Sequence, residues 1–234
     1  MGNNKDKEVI ILIGPPGSGK GTQAELLADK LGLFYFETSK IIEECVMNAQ
    51  ENEVVEIEGE KYSLAHEKHL WETGVLCTPE VVSFWVKSKI KELAEDDRSL
   101  VIAGSPRTMH EGEQIMPFIE ELYKKDRIKI FNLQISDNES VHRNSNRKIC
   151  SVCRHPIPFF DETKDLKKCS ICGGELIRRK GLDDPEHLQT RLIQYKERTE
   201  PLLDYYRKLN FKIVEINGEQ SIEKVFADIL KHLI

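Results

Sequence analysis

The sequence lacks an apolar run long enough to span a membrane, and residues 1–8 are polar and mixed in charge. We therefore expect neither a membrane anchor nor a signal peptide, and we expect a cytoplasmic location. Positive charge is not in excess, because 40 acidic residues outnumber 34 basic ones and the net charge is −6 at pH 7. This balance argues against a protein that coats nucleic acid or binds anionic membranes. Internal repeats and low-complexity linkers are also absent, so 234 residues predict one α/β domain with insertions.

Cysteine is scarce, but four of the six cysteines have the spacing of metal ligands. Cys150 and Cys153 form one C-x-x-C pair, and Cys169 and Cys172 form a second one. Two such pairs predict a tetrahedral zinc site that closes a small knob, and four thiolates leave no open position for catalysis. The alternatives are four free thiols, or an independent zinc ribbon that binds nucleic acid. Against the ribbon, the three lysines between the two pairs are offset by three acidic residues.

The chain is organised around residues 9–23. The apolar run Val9 to Ile13 predicts a strand buried on both faces, and the motif Gly14-x-x-x-x-Gly19-Lys20 and an amphipathic helix follow it. Glycine-rich turns of this kind point backbone amides at phosphate oxygens, the helix N-terminus adds positive potential, and the lysine ammonium reaches the outer phosphates. The predicted phosphate-binding residues are Gly14, Pro16, Gly17, Ser18, Gly19, Lys20, Gly21 and Thr22.

The loop Gly-Pro-Pro-Gly-Ser-Gly-Lys-Gly-Thr-Gln resembles that of adenylate kinases and related nucleoside-monophosphate kinases, which also place Gly21 where the general pattern has Ser or Thr. Further motifs follow in the family's order. Pro106-Arg107-Thr108 comes after a third buried strand, and Arg143 and Arg147 stand four residues apart on a predicted helix, hence on one face. The cysteine knob and Arg191 come next, so the resemblance runs from about Val9 to the C-terminus.

The resemblance implies an α/β fold with a doubly wound, five-stranded parallel sheet. The core kinase domain would comprise residues 1–38, 79–147 and 183–234. Residues 39–78 would be a helical insertion that binds the acceptor nucleotide, and residues 148–182 a small zinc-binding lid. Within the insertion, the acidic stretch 51–62 is expected to be an exposed hairpin or loop.

The implied activity is transfer of the γ-phosphoryl group of ATP, with Mg²⁺, to a nucleoside monophosphate, most simply AMP, by a monomer. Lys20 would hold the donor phosphates, while Arg147, Arg179 and Arg191 converge on the transferred group and Arg143 packs on the donor base. The lid arginine could also be Arg178 or Lys180, and the flanking residues favour Arg179. The residues implied to hold the acceptor are Thr38, Leu76, Cys77, Gly104, Arg107, Glu111 and Arg191.

Three positions depart from the family's pattern. Glu43 replaces an arginine on the acceptor phosphate, for which Lys40 is a candidate substitute, and Ala103 replaces an aspartate that helps to position water on magnesium. Glu111 replaces the glutamine that reads adenine, with Gln114 one helical turn away. A carboxylate only accepts hydrogen bonds, and it therefore suits guanine better than adenine. The alternatives are a kinase acting on GMP or a pyrimidine monophosphate, and a catalytically weakened nucleotide-binding regulatory protein.

Overall fold

Five parallel strands form the centre of the protein. The structure is a computed structural model that describes residues 7–50, 52–160, 163–178 and 185–233. In spatial order the strands of this sheet are β10 (Ile213–Asn217), β6 (Ile128–Gln134), β1 (Val9–Ile13), β5 (Leu100–Ala103) and β2 (Phe34–Glu37). Every neighbouring pair runs parallel. The predicted fold class is confirmed, and β1 takes the central place that its unbroken apolar run predicts.

Helices cover both faces of this sheet. They are α1 (Lys20–Leu31), α2 (Thr38–Met47), α3 (Leu64–Thr73), α4 (Pro79–Glu95), α5 (Met109–Tyr123), α6 (Asp137–Asn146), α7 (Pro185–Gln194), α8 (Pro201–Lys208) and α9 (Ile222–Lys231). Val9, Ile11 and Ile13 pack into a core with α4, α5 and α8, whereas Ile10 and Leu12 pack into a second core with α1 and α9. Because successive strand side chains point to opposite faces, the sheet is doubly wound, as predicted. No helix in the described ranges is long and apolar enough to cross a membrane.

The segment between β2 and α4 contains α2, a hairpin and α3. The hairpin pairs β3 (Val54–Ile57) with β4 (Glu60–Ser63) in antiparallel register. Its two-residue turn has positive φ at both Glu58 and Gly59, at 53° and 87°, and this geometry matches the twist of the flanking strands. The prediction of an exposed acidic hairpin is therefore confirmed.

A second, three-stranded sheet follows α6. Its strands are β7 (Lys148–Cys150), β8 (Pro156–Ile157) and β9 (Leu176–Arg178), with β7 in the middle and both pairs antiparallel. The chain then enters residues 179–184, which lie outside the described part of the protein. Arg179 and the alternative Lys180 are among them, whereas Arg178 is the exposed last residue of β9.

Candidate active site

A cleft opens at the carboxyl ends of β1, β5 and β2, which is where open parallel sheets bind ligands. The loop after β1, the end of β2, the loop after β5 and α7 all contribute to it, as do Pro156, Phe159 and Phe160 of the cysteine knob. All of the sequence-predicted binding residues that the structure describes line this one cleft. They are Gly14, Pro16, Gly17, Ser18, Gly19, Lys20, Gly21, Thr22, Thr38, Leu76, Cys77, Gly104, Arg107, Glu111, Arg143, Arg147 and Arg191.

The phosphate loop needs glycine for two separate reasons. Its backbone has positive φ at Gly14 (151°) and Gly17 (78°), a region that side-chain-bearing residues avoid. A Cβ on Gly14 would also come within 2.4 Å of the Leu133 carbonyl oxygen, and one on Gly17 within 2.5 Å of Asn144 Nδ2. The loop is thus pressed between β6 and α6, and it leads directly into the N-terminus of α1.

Lys20 is the first residue of α1, and its ammonium is folded back over the loop. Nζ donates to the carbonyl oxygens of Gly14 at 2.7 Å and Pro15 at 2.8 Å, and to Ser18 Oγ at 3.3 Å. Burial lowers the pKa of Lys20 well below its usual value, and the positive charges of Arg107, Arg191 and Arg147, in that order, lower it further. Four cationic side chains therefore converge at the end of β1, an arrangement that a polyanion would stabilise.

Arg107 lies in the loop between β5 and α5, and Glu111 holds that loop in shape. Glu111 Oε2 accepts hydrogen bonds from the Arg107 amide at 2.9 Å and from Ser105 Oγ at 3.0 Å. Glu111 Oε1 accepts from Thr108 Oγ1 at 3.2 Å, and the same hydroxyl oxygen accepts from the Glu111 amide at 3.2 Å. This reciprocal pair caps α5, and Thr199 adds a hydrogen bond of 2.7 Å to the Arg107 carbonyl oxygen.

These contacts give Glu111 a role in supporting the loop, and its role in reading the acceptor base stays a prediction. Its side chain is buried, and each carboxylate oxygen already accepts from the loop. Burial raises the pKa of Glu111, while hydrogen bonds from the Arg107 amide and the side chains of Ser105 and Thr108 oppose that rise. Gln114 is exposed and is not among the described residues that line the cleft.

The Glu43 carboxylate contacts the cysteine knob, where its Oε1 lies 3.7 Å from Nη2 of Arg154. The Lys40 Nζ pairs with Glu37 Oε2 at 2.7 Å, and its role as a substitute for the missing arginine stays a prediction. Neither Glu43 nor Lys40 is among the described residues that line the cleft.

Thr38 and Cys77 form part of the wall on the side of α2 and α3. Thr38 is 1% exposed, and its Oγ1 has no hydrogen-bond partner within the described part of the chain. Burial raises the pKa of the Cys77 thiol to about 12, so this side chain is neutral and donates weakly to the Glu67 carbonyl oxygen at 3.5 Å. Glu67 also accepts from the Thr78 amide at 2.7 Å and thereby fixes the segment that carries Leu76 and Cys77.

Arg143 and Arg147 both line the cleft, but only Arg143 lies within helix α6. Helix α6 ends at Asn146, and Arg147 is the residue after it, with extended backbone angles (φ −63°, ψ 140°). Arg143 remains inside the helix, where its Nε donates to Glu139 Oε1 at 2.5 Å. Its guanidinium lies 5.1 Å from the ring centre of Phe160 in the knob. Arg143 therefore reaches the cleft from within α6, and Arg147 reaches it from the residue that follows the helix.

The four knob cysteines come together as the spacing predicts. Their sulfur atoms all lie within 4.8 Å of one another. Burial opposes ionisation of Cys150, but backbone hydrogen bonds from Cys153 and Val152 lower its pKa to about 6. Four clustered thiols with an ionised member could hold a metal ion.

Sequence reasoning missed Tyr35, Glu37 and Asn144, which also line the cleft. Glu37 stands at the carboxyl end of β2, after an apolar run that contains Tyr35, so its position in a parallel strand was the available signal. Asn144 is 1% exposed, with Oδ1 unpartnered among the described residues, and it follows Arg143 directly. No sequence motif marks it, because its place in the cleft depends on the contact between α6 and the phosphate loop.

The fold and the cleft define a P-loop kinase, with a phosphate loop after the central strand and cations gathered above it. A family model described as adenylate kinase matches residues 12–211. The chain is 34% identical to an adenylate kinase of Methanothrix thermoacetophila over 96% of its length and 97% of the relative's. It is 33% identical to an adenylate kinase of Archaeoglobus fulgidus (94% and 95% covered) and 31% identical to one of Petrotoga mobilis (96% of each). The protein belongs to the adenylate kinase family.

Proposed function

We propose that the protein transfers the γ-phosphoryl group of ATP to a nucleoside monophosphate and that AMP is the preferred acceptor. The observation that carries this proposal is the convergence of Lys20, Arg107, Arg147 and Arg191 in one cleft at the end of β1. Two nucleotides bring several negative charges to one point, and phosphoryl transfer requires them to be neutralised and held in line.

The donor half of the site is the phosphate loop with α6. The amides after Gly14 and the N-terminus of α1 bind the donor phosphates, and the Lys20 ammonium leaves its carbonyl partners to bind the outer ones. Arg147 lies on the same side and neutralises the transferred group. Arg143 and Phe160, which already stack on each other, bracket the donor base.

The acceptor half is formed by the wall around Thr38 and the loop after β5. The buried, unpartnered Thr38 hydroxyl supplies a donor for the acceptor phosphate, and Arg107 and Arg191 supply its counter-charges. Leu76, Cys77 and Gly104 line the space next to it. A preference for AMP is supported by the names of the relatives and by the engagement of Glu111 within its own loop.

The protein contributes orientation, charge and exclusion of water, because phosphoryl transfer leaves little covalent work for side chains. Arg179, placed by sequence at the base of the lid, is proposed as a further cation on the transferred group. The Mg²⁺ that accompanies ATP neutralises donor phosphate charge when it is bound. Residues 148–182 act as a lid that closes over the phosphates and prevents hydrolysis of ATP.

The four knob cysteines are proposed to hold one structural Zn²⁺. The clustered sulfurs match a Cys₄ set, and thiolates are the ligands that zinc prefers in closed sites. The division into a core, an acceptor-binding insertion (39–78) and this lid is likewise part of the proposal. The monomeric state and the cytoplasmic location remain predictions from the sequence.

The test compares initial rates with MgATP and saturating AMP, GMP, CMP or UMP. We expect AMP to be the fastest acceptor and Lys20→Ala to lose about 10³-fold in rate, as usual for a charge on transferring phosphate. Lys30→Ala, at the exposed far end of α1, is the matched control. A faster rate with GMP contradicts the acceptor assignment. ATP binding without turnover on any acceptor would instead favour the regulatory protein.

A further inference from the structure

Strand β2 brings two polar side chains into the cleft that the proposed mechanism does not use. Tyr35 and Glu37 are two residues apart on the strand, so their side chains share one face. Tyr35 packs against the core that contains Ala24 and Leu27 of α1. Glu37, nearer the carboxyl end, therefore lies on the α1 side of the sheet, beside the helix start that binds phosphate.

Tyr35 places its hydroxyl against the first turn of α1. A Cβ on Gly21 would lie 3.2 Å from the Tyr35 hydroxyl oxygen. Gly21 stands where most phosphate loops carry the Ser or Thr whose hydroxyl binds magnesium. Burial raises the pKa of Tyr35, and the Glu37 carboxylate raises it further, so the phenol is neutral and interacts with that carboxylate.

Glu37 is also the neighbour of Ala103 in the sheet. Strands β2 and β5 pair in parallel with Glu37 opposite Ala103. Side chains at paired positions of adjacent strands point to the same face, with the strands about 4.8 Å apart. The Glu37 carboxylate therefore lies one strand away from Ala103, whose side chain is only a methyl group.

Glu37 retains the capacity to accept further hydrogen bonds. Ser39 Oγ donates to its Oε1 at 3.1 Å and Lys40 Nζ to its Oε2 at 2.7 Å, whereas an ionised carboxylate has about four acceptor sites. The other acidic residue among the described lining residues is Glu111, which accepts three hydrogen bonds within its own loop, one more than the two described for Glu37. Carboxylate oxygens are ligands that suit Mg²⁺, directly or through its bound waters.

We propose that Glu37 is a positioning residue that accepts hydrogen bonds from the waters of the Mg²⁺ bound with ATP. Tyr35, on the same face of β2, places its hydroxyl next to Gly21. Mg²⁺ gives up its waters reluctantly, and an outer carboxylate of this kind orients the hydrated ion against the donor phosphates. The inference rests on the proposed function, because it requires ATP on the phosphate loop.

The experiment measures ATP binding by calorimetry, without acceptor, in EDTA and in excess Mg²⁺. In the wild-type protein we expect Mg²⁺ to strengthen binding. In Glu37→Gln we expect that strengthening to fall by about tenfold or more, the usual cost of losing an outer-shell partner, while ATP affinity in EDTA is unchanged. Glu44→Gln, the same chemical change at an exposed position of α2 outside the described cleft lining, should behave as wild type.

A rescue variant separates this role from a merely structural one. Ala103→Asp in the Glu37→Gln background should restore the effect of Mg²⁺, because the register places the new carboxylate beside the lost one. An undiminished Mg²⁺ effect in Glu37→Gln, or an equal loss of ATP affinity with and without metal, overturns the assignment. A wild-type protein that binds ATP without any Mg²⁺ effect also overturns it. A wild-type protein that binds no ATP overturns the proposed function as well.

Discussion

The Glu43 carboxylate lies 3.7 Å from the Arg154 guanidinium, so an ion pair joins α2 to the loop between β7 and β8. A second contact joins Glu25 Oε1 in α1 to His155 Nδ1, also at 3.7 Å. The knob thus contacts both α1 and α2. The position that the family uses for an acceptor-phosphate arginine serves this link instead.

Reversing the charges of this pair tests the link. We expect Glu43→Lys and Arg154→Glu each to raise the KM for both substrates by placing like charges together, and the double variant to restore it. Because both side chains are partly exposed, the coupling should be small, about 1 kcal/mol or less, and should weaken with salt. A double-mutant cycle on KM measures it. Additive effects of the two substitutions would show that the pair does not couple.

Substitution of Glu111 distinguishes loop support from base reading. Glu111→Gln keeps the shape but replaces one acceptor oxygen with a donor nitrogen, so one of the contacts from Ser105, Arg107 or Thr108 is lost. We expect kcat to fall by about tenfold, while the ratio of kcat/KM for AMP over GMP stays the same. Glu113→Gln, two residues away and exposed, is the control. A ratio that moves with the substitution would return Glu111 to the acceptor base.

Donor binding should be linked to proton uptake by Lys20. Its pKa in the free protein is lowered by burial and by Arg107, Arg191 and Arg147, and the phosphates of ATP raise it again by supplying negative charge. At a pH between the free and bound pKa values, ATP binding takes up a proton, so affinity falls as the pH rises through that window. Calorimetry in buffers of different ionisation enthalpy measures the uptake. Lys20→Met should abolish it, and uptake that persists in this variant contradicts the assignment to Lys20.

Substitution within the four-cysteine cluster tests the proposed zinc site and lid. We expect about one zinc per chain in protein purified without chelator. Cys169→Ser should remove it and lower thermal stability chiefly in residues 148–178, leaving the central sheet folded. Cys45→Ser, which lies outside the cluster, is the control. Zinc near zero in the wild type, with four titratable thiols, rules the site out.

Some features of the structure could be predicted from short stretches of sequence alone. The buried strand β1, the glycines at positions 14 and 17 and the two cysteine pairs all have patterns with one physical reading, and the structure contains each of them. The doubly wound parallel sheet followed from the resemblance and from the alternation of strands and helices.

The partners of charged side chains could not be predicted in the same way. Glu43 meets Arg154, and Glu37 stands beside Ala103, because of tertiary placement that no local pattern encodes. The contacts of Glu111 within its own loop could not be predicted either, because spacing fixes a residue's position but does not show which neighbours its oxygens engage. The end of α6 one residue before Arg147 was likewise not marked by the sequence.

The contact between the phosphate loop and α6 has a consequence for protein engineering. Gly17 leaves no room for a side chain beside Asn144, and the Ser140 hydroxyl donates to the Pro16 carbonyl oxygen at 2.6 Å, so loop and helix behave as one solid part. The knob begins with Lys148, immediately beyond Arg147. A knob from a relative, joined after Arg147 and again before α7, would leave the phosphate loop and α6 in place. The first of these junctions is the peptide bond between Arg147 and Lys148, which adjoins the cleft.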